Sequence, residues 1–472
     1  MRLAVVGGGI AGLAAAHRAT EWARERGRAV EVVLLEASDR LGGTIQTERR
    51  DGFLVELGPD SFLSEKPWAL ALAGRLGLTP SLVRTADRFR RVYVVHGGRL
   101  HALPEGFQLL APARLGALAA SSLFSWRGKL RMALDLVVPR GGDRDESLGS
   151  FVRRRLGREA LERVAQPLVA GIYTADPDDL SLAATMPRFL EMEREHRSLI
   201  LALRRAARRA PAAAAATSGA RWSLFVTFAE GMETLTRALA ERLPPGAARL
   251  KARVAAVERD GRGWRVALPG GPARAADGVI VAAEAHQAAR LLRYVDPSLA
   301  HLLDGIPYAS SATVTLALAR SDVAHPLDGF GFVVPHAEGR PVIACTFSSV
   351  KYPGRAPHGH VLLRVFLGGA LDEGALGQED ESLVATARRE LAALLGAGGE
   401  PLFARVARYP RAMPQYHVGH LGRVEAIEGA VGRQPGLALA GAAYRGVGIA
   451  DCVRSGEEAA VSVLDALAAR SG

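Results

Sequence analysis

Apolar residues near the start of the chain form two short runs that a longer mixed segment separates. The first run covers residues 3–6, directly before a glycine, and the second covers residues 32–35. Runs of four apolar residues bounded by glycine are typical of strands that are buried on both faces. The segment from Gly9 to about Arg26 has the length of a helix. The pattern therefore predicts a strand, a crossover helix and a second, parallel strand.

The rest of the chain alternates between strand-like and helix-like patterns. Residues 44–62 predict a hairpin with Asp51 and Gly52 at its turn, because Asp-Gly between apolar positions favours a tight reversal. Residues 109–209 lose the strand pattern and predict helices. The other expected elements are helices over 66–76 and 229–243, a hairpin over 91–104, and strands over 252–258, 264–268, 277–283, 312–319, 329–334, 341–347 and 360–368.

The last section of the chain predicts a second unit of strand, glycine-rich loop and helix. Residues 436–441 form the strand, and Asp451 is placed to cap a helix that runs from Cys452 toward Ala468. The positive end of that helix would stabilise negative charge on a bound cofactor. We expect both ends of the chain to build one nucleotide-binding fold.

Glycines between the first strand and the first helix have the spacing of a dinucleotide-binding turn. Gly7 permits a tight turn, Gly9 lets the backbone approach a pyrophosphate, and Gly12 lets helix and strand pack closely. The helix N-terminus, at Ile10 and Ala11, offers N–H groups and a positive dipole end to the phosphates. The alternative for such a pattern is an ordinary glycine-rich turn, but its position between a strand and a helix favours the dinucleotide.

Two features after the second strand indicate a flavin nucleotide. Glu36 lies 24 residues after Gly12, where a carboxylate can accept hydrogen bonds from ribose hydroxyls and repel the 2′-phosphate of NADP. Arg40, Gly42 and Gly43 follow as Arg-x-Gly-Gly, which resembles the second phosphate-contacting turn of FAD proteins of the glutathione-reductase and amine-oxidase types. Simple NAD dehydrogenases lack this turn, so we expect FAD.

Composition sets wider bounds on the class of protein. The chain has 472 residues, 49% of them hydrophobic and 23% charged, which suggests two or three globular domains. Cys345 and Cys452 belong to no paired motif, so neither a disulfide framework nor a metal site is expected. The net charge of +11 comes almost wholly from arginine, and the chain contains four lysines, Lys66, Lys129, Lys251 and Lys351.

The same features bear on partners and location. No helix-turn-helix, zinc or RNP-type pattern is present, and we expect no nucleic-acid partner. The first strand begins at once, and no uncharged apolar run reaches the roughly 18 residues of a membrane span. We therefore expect a cytoplasmic protein with at most a peripheral contact on the inner face of the cell membrane. Residues 109–139 mix Trp, Phe and Leu with cations, a composition that fits either core packing or a bilayer surface.

With these elements in place, the chain resembles the oxygen-dependent, FAD-containing protoporphyrinogen oxidases almost from end to end. Amine oxidases and phytoene desaturases share only the terminal flavin segments. The segments that carry the resemblance are Glu-Leu-Gly-Pro-Asp-Ser-Phe at 56–62, Leu-His-Ala-Leu-Pro at 100–104, Gly-Ile-Tyr-Thr-Ala-Asp-Pro at 171–177, Met-Glu-Arg-Glu-His-Arg-Ser-Leu at 192–199, Gly-Phe-Gly-Phe-Val-Val-Pro at 329–335, Pro-Gln-Tyr-His-Val-Gly-His at 414–420, and the loop from 441 to 452.

The resemblance implies an α/β fold with three parts. These are a Rossmann-like FAD/NAD(P)-binding domain of the amine-oxidase type, a mixed α+β substrate-binding domain and a helical membrane-binding domain. On this sequence the FAD-binding domain would cover residues 1–65, 225–290 and 405–472, the substrate-binding domain 66–105 and 291–404, and the helical domain 106–224.

The resemblance also implies an activity. A flavin-dependent oxidase would take six electrons from protoporphyrinogen IX in three flavin turnovers, with O2 as acceptor and H2O2 as product, as a step of haem biosynthesis. The flavin carries such chemistry, and the protein supplies orientation, exclusion of water and charge near the ring. We expect non-covalent FAD, because Cys452 lies in the predicted C-terminal helix and matches a position that forms no flavin bond. Hand-over of the product to ferrochelatase and a homodimer are compatible with the resemblance.

Individual positions receive roles from the same resemblance. Arg91 would pair with a substrate propionate, with Arg90 or Arg88 as alternatives, and Gly171 would border the porphyrin plane. Val333 and Phe366 would enclose the macrocycle, although ordinary core packing is the alternative. The backbone positions expected at the cofactor are Leu57, Gly58, Pro59 and Asp60 beside the isoalloxazine, Val254 at the adenine, and Gly441, Val447, Gly448 and Ile449 in the C-terminal loop.

Other functions remain open on the sequence. Coproporphyrinogen III would serve the same chemistry, and its four propionates would require additional cations. A flavin amine oxidase or carotene desaturase is disfavoured by the segments at 171–177 and 193–199. A flavoprotein with a binding or scaffold role belongs to a different class, and reaction with a porphyrinogen would separate it from an oxidase.

Overall fold

The first half of the nucleotide-binding unit folds as the apolar pattern predicts. Strand Arg2–Val6 is followed by helix Ile10–Arg26 and by the parallel strand Glu31–Leu35. The apolar side chains of the first strand are almost entirely buried because other elements cover both faces of the sheet. The computed structural model describes residues 1–86, 89, 91–108, 111–112, 114–142, 144–209 and 225–471.

Within the described residues, a five-stranded parallel sheet joins distant parts of the chain. Its first strand pairs on one side with the second and on the other with a strand that follows residue 277, where Leu3 lies opposite Gly278. The C-terminal section adds an edge strand, as expected. The order across the sheet is Ala248–Arg249, Glu31–Leu35, Arg2–Val6, Gly278–Val281 and Leu437–Leu439.

Two long helices pack closely against each other on one face of this sheet. They are Ile10–Arg26 and the C-terminal helix Ile449–Ser471. A Cβ atom added at Gly456 would lie 2.1 Å from the carbonyl oxygen of Ala11, so a glycine is needed where the backbones meet. The first and last segments of the chain therefore form one core.

A second large sheet lies beyond the nucleotide-binding unit and has mixed strand directions. Over the described part of the chain it contains seven strands, of which Gly329–Val333 and Arg91–His96 run parallel and the other neighbours antiparallel. Helix Asp380–Leu395 buries its apolar side chains against one face. The order is Phe403–Pro414, Tyr308–Ala319, His360–Gly368, Ala344–Phe347, Gly329–Val333, Arg91–His96 and Arg99–Ala102.

Smaller sheets connect these two units, and the predicted hairpin at Asp51 and Gly52 is confirmed. Both turn residues have positive φ, 50° and 80°, which a tight hairpin reversal uses. The small antiparallel sheets are Thr47–Arg50 with Phe53–Glu56; Phe62–Leu63 with Phe225–Phe228 and Leu82–Arg84; Ala256–Asp260 with Gly263–Ala267 and Arg274–Ala276; and Phe107–Gln108 with Ala111–Pro112.

The stretch predicted to be helical is helical over most of its described length. A buried ion pair organises it: Arg155 and Asp135 are fully buried, and Arg155 Nε donates to Asp135 Oδ1 at 2.7 Å. The helices are Leu115–Ala120, Trp126–Ala133, Leu148–Arg155, Arg158–Ala160, Gln166–Tyr173, Leu182–Thr185, Pro187–His196 and Leu199–Arg209, with shorter turns Leu134–Leu136 and Leu161–Ala165.

The remaining helices flank the two large sheets. Among the described residues, no helix is both long and apolar enough to cross a bilayer. The helices are Pro67–Arg75, Glu233–Glu241, Ala285–Leu292, Pro297–Asp304, Ser348–Lys351 and His420–Gly432, with short 3-10 turns Thr79–Ser81, Arg320–Asp322, His336–Glu338 and Glu373–Gly377.

Candidate active site

The three glycines of the first turn differ in their surroundings. A Cβ at Gly7 would lie 2.4 Å from the carbonyl oxygen of Ala282, and one at Gly12 would lie 1.9 Å from that of Gly7. A Cβ at Gly9 would meet no atom within 4 Å. The first and third glycines are thus fixed by packing, whereas the second faces open space at the start of a helix with no acidic residue in its first turn.

Glu36 binds the same turn from the end of the second strand. Its carboxylate accepts hydrogen bonds from the N–H of Gly8 at 2.6 Å and from the N–H of Ser38 at 2.7 Å. These bonds hold the half-buried carboxylate beside the glycine turn. The contact of Glu36 with the ribose stays a prediction, and the position of its carboxylate beside the glycine turn favours it.

The Arg-x-Gly-Gly turn lies directly against the first glycine turn. Gly42 donates its N–H to the carbonyl oxygen of Gly8 at 2.8 Å, and a Cβ at Gly43 would lie 3.1 Å from the Cα of Gly9. Arg40 donates to the carbonyl oxygens of Gly43 and Ile45, at 2.5 Å each. The two sequence motifs thus form one backbone cradle, and the arginine supports its shape.

The turn at residues 57–60 is held by the second large sheet. A Cβ at Gly58 would lie 1.7 Å from the carbonyl oxygen of Thr44, so the turn needs glycine at this position. The buried Arg364 donates to the carbonyl oxygen of Gly58 at 2.7 Å and to that of Leu57 at 3.4 Å. Pro59 and Asp60 line a cavity between the two large sheets.

A buried ion pair supports this turn. Lys351 Nζ lies 2.9 Å from Asp60 Oδ2 and 3.1 Å from Oδ1. Burial opposes the charge of Asp60, but Lys351, the hydroxyl of Ser61 and Arg364 outweigh it and hold the pKa of Asp60 at about 2. Asp60 therefore stays ionised, and the two cations give this part of the wall a positive balance.

Glu56 lies behind the turn in a less polar environment. It accepts hydrogen bonds from the N–H of Met232 at 2.9 Å and from the hydroxyl of Thr47 at 2.8 Å, and Arg355 lies 3.7 Å away. Burial raises the pKa of Glu56 to about 7 against the opposing effect of these donors and of Arg355. This carboxyl group therefore titrates near neutral pH.

The C-terminal loop forms another side of the same cavity. Val447, Gly448 and Ile449 line it, and the N–H of Gly446 donates to the hydroxyl of Tyr416 at 2.8 Å. Tyr416 in turn donates to the carbonyl oxygen of Ala442 at 2.5 Å, which fixes the loop from both ends. Gly441 enters the loop with φ of 124° and an empty Cβ position.

The predicted N-cap role of Asp451 is wrong. The C-terminal helix begins at Ile449, because the N–H of Cys452 already donates to the carbonyl oxygen of Gly448 at 3.0 Å. Asp451 is the third residue of this helix, and it accepts a hydrogen bond from Lys66 Nζ at 2.6 Å. Its carboxylate therefore links the helix to the segment after residue 65.

The cavity has a volume of about 1080 Å³, slightly above the roughly 300–1,000 Å³ that ligand pockets occupy. The predicted flavin-contacting residues in its wall are Ile10, residues 58–60 and residues 447–449. The other walls come from the second large sheet and from the helical section. One cavity thus joins Ile10 and the turns at 58–60 and 447–449 to a chamber whose surface is mainly apolar, whereas Gly9, Glu36 and Gly43 lie outside its lining.

Three of the predicted substrate residues lie together in this chamber. Gly171, Val333 and Phe366 all line it, and a Cβ at Gly171 would lie 3.8 Å from Val333 Cγ1. A larger side chain at Gly171 would therefore narrow the space in front of Val333. This arrangement agrees with the predicted roles, which stay predictions.

Arg91 does not lie in the cavity wall. Its side chain is largely exposed, and its Nη1 donates to Asp328 Oδ2 at 2.7 Å. The alternatives Arg88 and Arg90 lie outside the described residues. The propionate role of Arg91 remains a prediction that this position does not favour.

Val254 is not part of the predicted strand, which begins at Ala256. The segment before the strand instead follows the edge of the nucleotide-binding sheet, because Lys251 donates its N–H to the carbonyl oxygen of Ser38 at 2.7 Å and Ala252 donates to that of Glu36 at 2.8 Å. The segment that leads to Val254 thus lies beside Glu36. The contact of Val254 with the adenine stays a prediction.

The sequence did not identify several polar residues of the cavity wall. Lys351 and Arg364 contact the turn at 57–60 from about 300 positions away, and no local pattern reveals such a pairing. The rarity of lysine was a signal in the sequence, since the arginine-rich chain has four lysines. Two of them, Lys66 and Lys351, line the cavity and pair with its acidic residues Asp451 and Asp60.

The residues fit a bound, non-covalent FAD. The empty position at Gly9 and the paired glycine turns form a cradle of suitable shape, and further turns line the connected cavity. Burial, and then the charge of Asp451, raises the pKa of the Cys452 thiol to about 12, which disfavours the nucleophilic thiolate. Among the described residues, no cluster of metal-ligating side chains is present.

Comparisons with known proteins agree with this geometry. Residues 10–464 match the family described as flavin containing amine oxidoreductase. The chain is 36% identical to "Coproporphyrinogen III oxidase" of Bacillus subtilis, covering 98% of this chain and 97% of the relative, and 33% identical to human "Protoporphyrinogen oxidase", covering 98% of each. A crystal structure from Exiguobacterium sp. 255-15, provisionally named a protoporphyrinogen oxidase, superposes with a TM-score of 0.86 at 31% identity over 98% of both chains. The chain belongs to the flavin-containing amine oxidoreductases and is an FAD-dependent enzyme.

Proposed function

We propose that this enzyme oxidises protoporphyrinogen IX to protoporphyrin IX, with O2 as acceptor and H2O2 as product. The observation that carries this proposal is the mainly apolar cavity of about 1080 Å³ in which the turns at 58–60 and 447–449 lie together with Gly171, Val333 and Phe366. Relatives named for this activity align along nearly the whole chain.

The proposed domains are residues 1–65, 225–290 and 405–472 for FAD, 66–105 and 291–404 for the substrate, and 106–224 for the helical part.

When bound, FAD would supply a two-electron acceptor for hydrogen on the porphyrinogen. The residues of the chain then have three tasks. Gly171, Val333 and Phe366 would orient the macrocycle, the apolar wall would exclude bulk water, and the cations behind residues 57–60 would stabilise negative charge. This division requires no acid–base pair of side chains.

Coproporphyrinogen III is a second candidate substrate, and two observations favour it. A relative named for this substrate is slightly more similar than the human relative named for the other. Among the described residues, the cavity wall contains seven cationic side chains and three acidic ones, a balance that favours a polyanionic ligand. Both substrates undergo the same oxidation, so the choice concerns binding.

Anaerobic mixing tests the proposed reaction. Each porphyrinogen is added to the flavin-loaded enzyme without oxygen, and air is then admitted. A substrate should bleach the flavin absorbance, and air should restore it with the appearance of porphyrin fluorescence. Failure of both porphyrinogens to bleach the flavin faster than they reduce free FAD would falsify the proposal.

We also propose a peripheral membrane contact through the exposed apolar ridge of the helical section. Its members are Trp126, Leu130, Leu134 and Val137, which are between 49% and 70% exposed, and Lys129 Nζ lies 4.5 Å from the Trp126 ring centroid. A ridge of apolar side chains with neighbouring cations fits an anionic bilayer surface. The hand-over to ferrochelatase and the homodimer stay predictions from the resemblance.

A further inference from the structure

The cations of the cavity wall differ in whether the protein already neutralises them. Six of the seven have a polar or aromatic partner within the described part of the chain. These contacts are Lys66 with Asp451 at 2.6 Å, Lys351 with Asp60 at 2.9 Å, Arg114 with Glu105 at 3.6 Å, Arg445 with Glu428 at 2.6 Å, Arg364 with the carbonyl oxygen of Gly58 at 2.7 Å, and Arg454 over the Trp68 ring at 4.4 Å.

Arg188 is the exception. It lines the cavity, its side chain is exposed, and among the described residues it has no hydrogen bond, ion pair or ring contact. It is the second residue of helix Pro187–His196, whose first turn contains no acidic residue. A cation near the positive end of a helix is electrostatically unfavourable. Within the described part of the chain, no group therefore compensates the charge of this guanidinium.

The surroundings of Arg188 connect it to the substrate chamber. Phe189 and Met192, on the same helix, are buried residues that also line the cavity. Tyr173 lies on the helix that carries Gly171, and its hydroxyl donates to the carbonyl oxygen of Thr185, three residues before Arg188, at 3.2 Å. The charge therefore lies at the water-facing edge of an apolar wall that includes Gly171.

A porphyrinogen has chemistry that matches this edge. Its macrocycle is apolar and gains from burial, whereas its carboxylates lose hydration if they enter an apolar chamber without a partner. The favourable orientation places a carboxylate at the rim, where an arginine can form two parallel hydrogen bonds to it.

We propose that Arg188 binds a carboxylate of the porphyrinogen at the rim of the cavity. This assignment rests on the proposed function and identifies a cation other than Arg91, which does not line the cavity and already pairs with Asp328. Arg188 then sets the depth and orientation of the macrocycle, and it contributes to affinity without taking part in the oxidation.

Steady-state kinetics of Arg188→Gln with both porphyrinogens test this proposal. A charge-assisted pair that is present in the ground and transition states alike should raise KM about tenfold or more and leave kcat within about twofold. Arg188→Lys should recover part of the affinity, since it keeps the charge without the planar fork. Arg158→Gln is the matched control, because Arg158 is an exposed arginine of the same helical section that pairs with Glu162 and does not line the cavity.

The methyl esters of the porphyrinogens separate a carboxylate contact from a structural effect. With an esterified substrate, wild type and Arg188→Gln should have the same KM, because no carboxylate is available to the guanidinium. A KM increase of equal size for acid and ester would overturn the proposal, as would an unchanged KM for the acid. If neither the wild type nor any variant oxidises a porphyrinogen, the proposed function itself fails, which is a distinct result.

Discussion

At the scale of single residues, each glycine of the first turn has its own physical task. Gly7 and Gly12 are fixed by backbone approach, since a Cβ would lie within 2.4 Å of a carbonyl oxygen. Gly9 has no such neighbour, so the fold alone would accept a side chain there. The open space at Gly9 therefore agrees with its predicted role beside a pyrophosphate, whereas packing does not require a glycine there.

The substitution Gly9→Val should give a folded protein that has lost its FAD. The valine would occupy the open space in which the pyrophosphate is expected. Gly429→Val is the control, because Gly429 also has an empty Cβ position but lies on an exposed face of helix His420–Gly432. The flavin-to-protein absorbance ratio checks this, and a fully flavinated Gly9→Val protein would contradict the phosphate site.

The substitution Glu56→Gln should flatten the pH dependence of stability. The pKa of Glu56 is raised to about 7 in the folded protein, so its contribution is fully present below the unfolded pKa near 4.5 and is lost as the pH rises through about 7. Relative to Glu56→Gln, the wild type should lose on the order of 3 kcal/mol of unfolding free energy between pH 4.5 and pH 8. Urea unfolding at several pH values in this range measures the difference in unfolding free energy. If the free energies of wild type and Glu56→Gln change with pH in parallel, the raised pKa of Glu56 is refuted.

At the scale of elements, local patterns predict strands and helices well, while their ends depend on distant contacts. The hairpin at Asp51 and Gly52 follows from its own residues and is confirmed. The C-terminal helix begins earlier than expected, at Ile449, because the N–H of Cys452 already donates to the carbonyl oxygen of Gly448. Asp451 therefore lies inside the helix, where it binds Lys66 instead of capping. The strand expected from residue 252 begins at Ala256, because the preceding N–H groups bind carbonyl oxygens near Glu36.

The exposed ridge of the helical section gives a prediction for a whole element. Leu130→Ser should reduce flotation of the protein with anionic liposomes, because it removes apolar area from the proposed contact. Leu402→Ser is the matched control: Leu402 is 57% exposed, against 69% for Leu130, but lies outside the ridge. Equal flotation of the two variants and the wild type would contradict a membrane contact through this ridge.

At the scale of the whole molecule, one cavity collects residues from almost the full length of the chain. Ile10, Gly171, Val333 and Ile449 all contribute to its wall. The glycine spacing predicted the cofactor because the first glycine turn forms within one local unit of strand, turn and helix. The substrate positions Gly171, Val333 and Phe366 could be predicted only by resemblance, since they come from distant segments that meet in the cavity wall through the tertiary fold.

The charges of the cavity were also only partly predictable from the sequence. The sequence reveals an excess of arginine, but it does not reveal which arginines the protein pairs internally. Arg91 forms an ion pair with Asp328, whereas Arg188 has no partner among the described residues. In the proposed account, the substrate carboxylate is bound by a cation that has no partner among the described residues.

The most direct test of the proposed oxidase activity is aerobic turnover of protoporphyrinogen IX and coproporphyrinogen III side by side, with porphyrin and peroxide measured together. We expect FAD-dependent porphyrin formation with three H2O2 released for each porphyrin, because the oxidation removes six electrons in two-electron steps. The preferred substrate should have the higher kcat/KM. Porphyrin formation no faster than the spontaneous oxidation of both substrates, without the peroxide stoichiometry, would contradict the account.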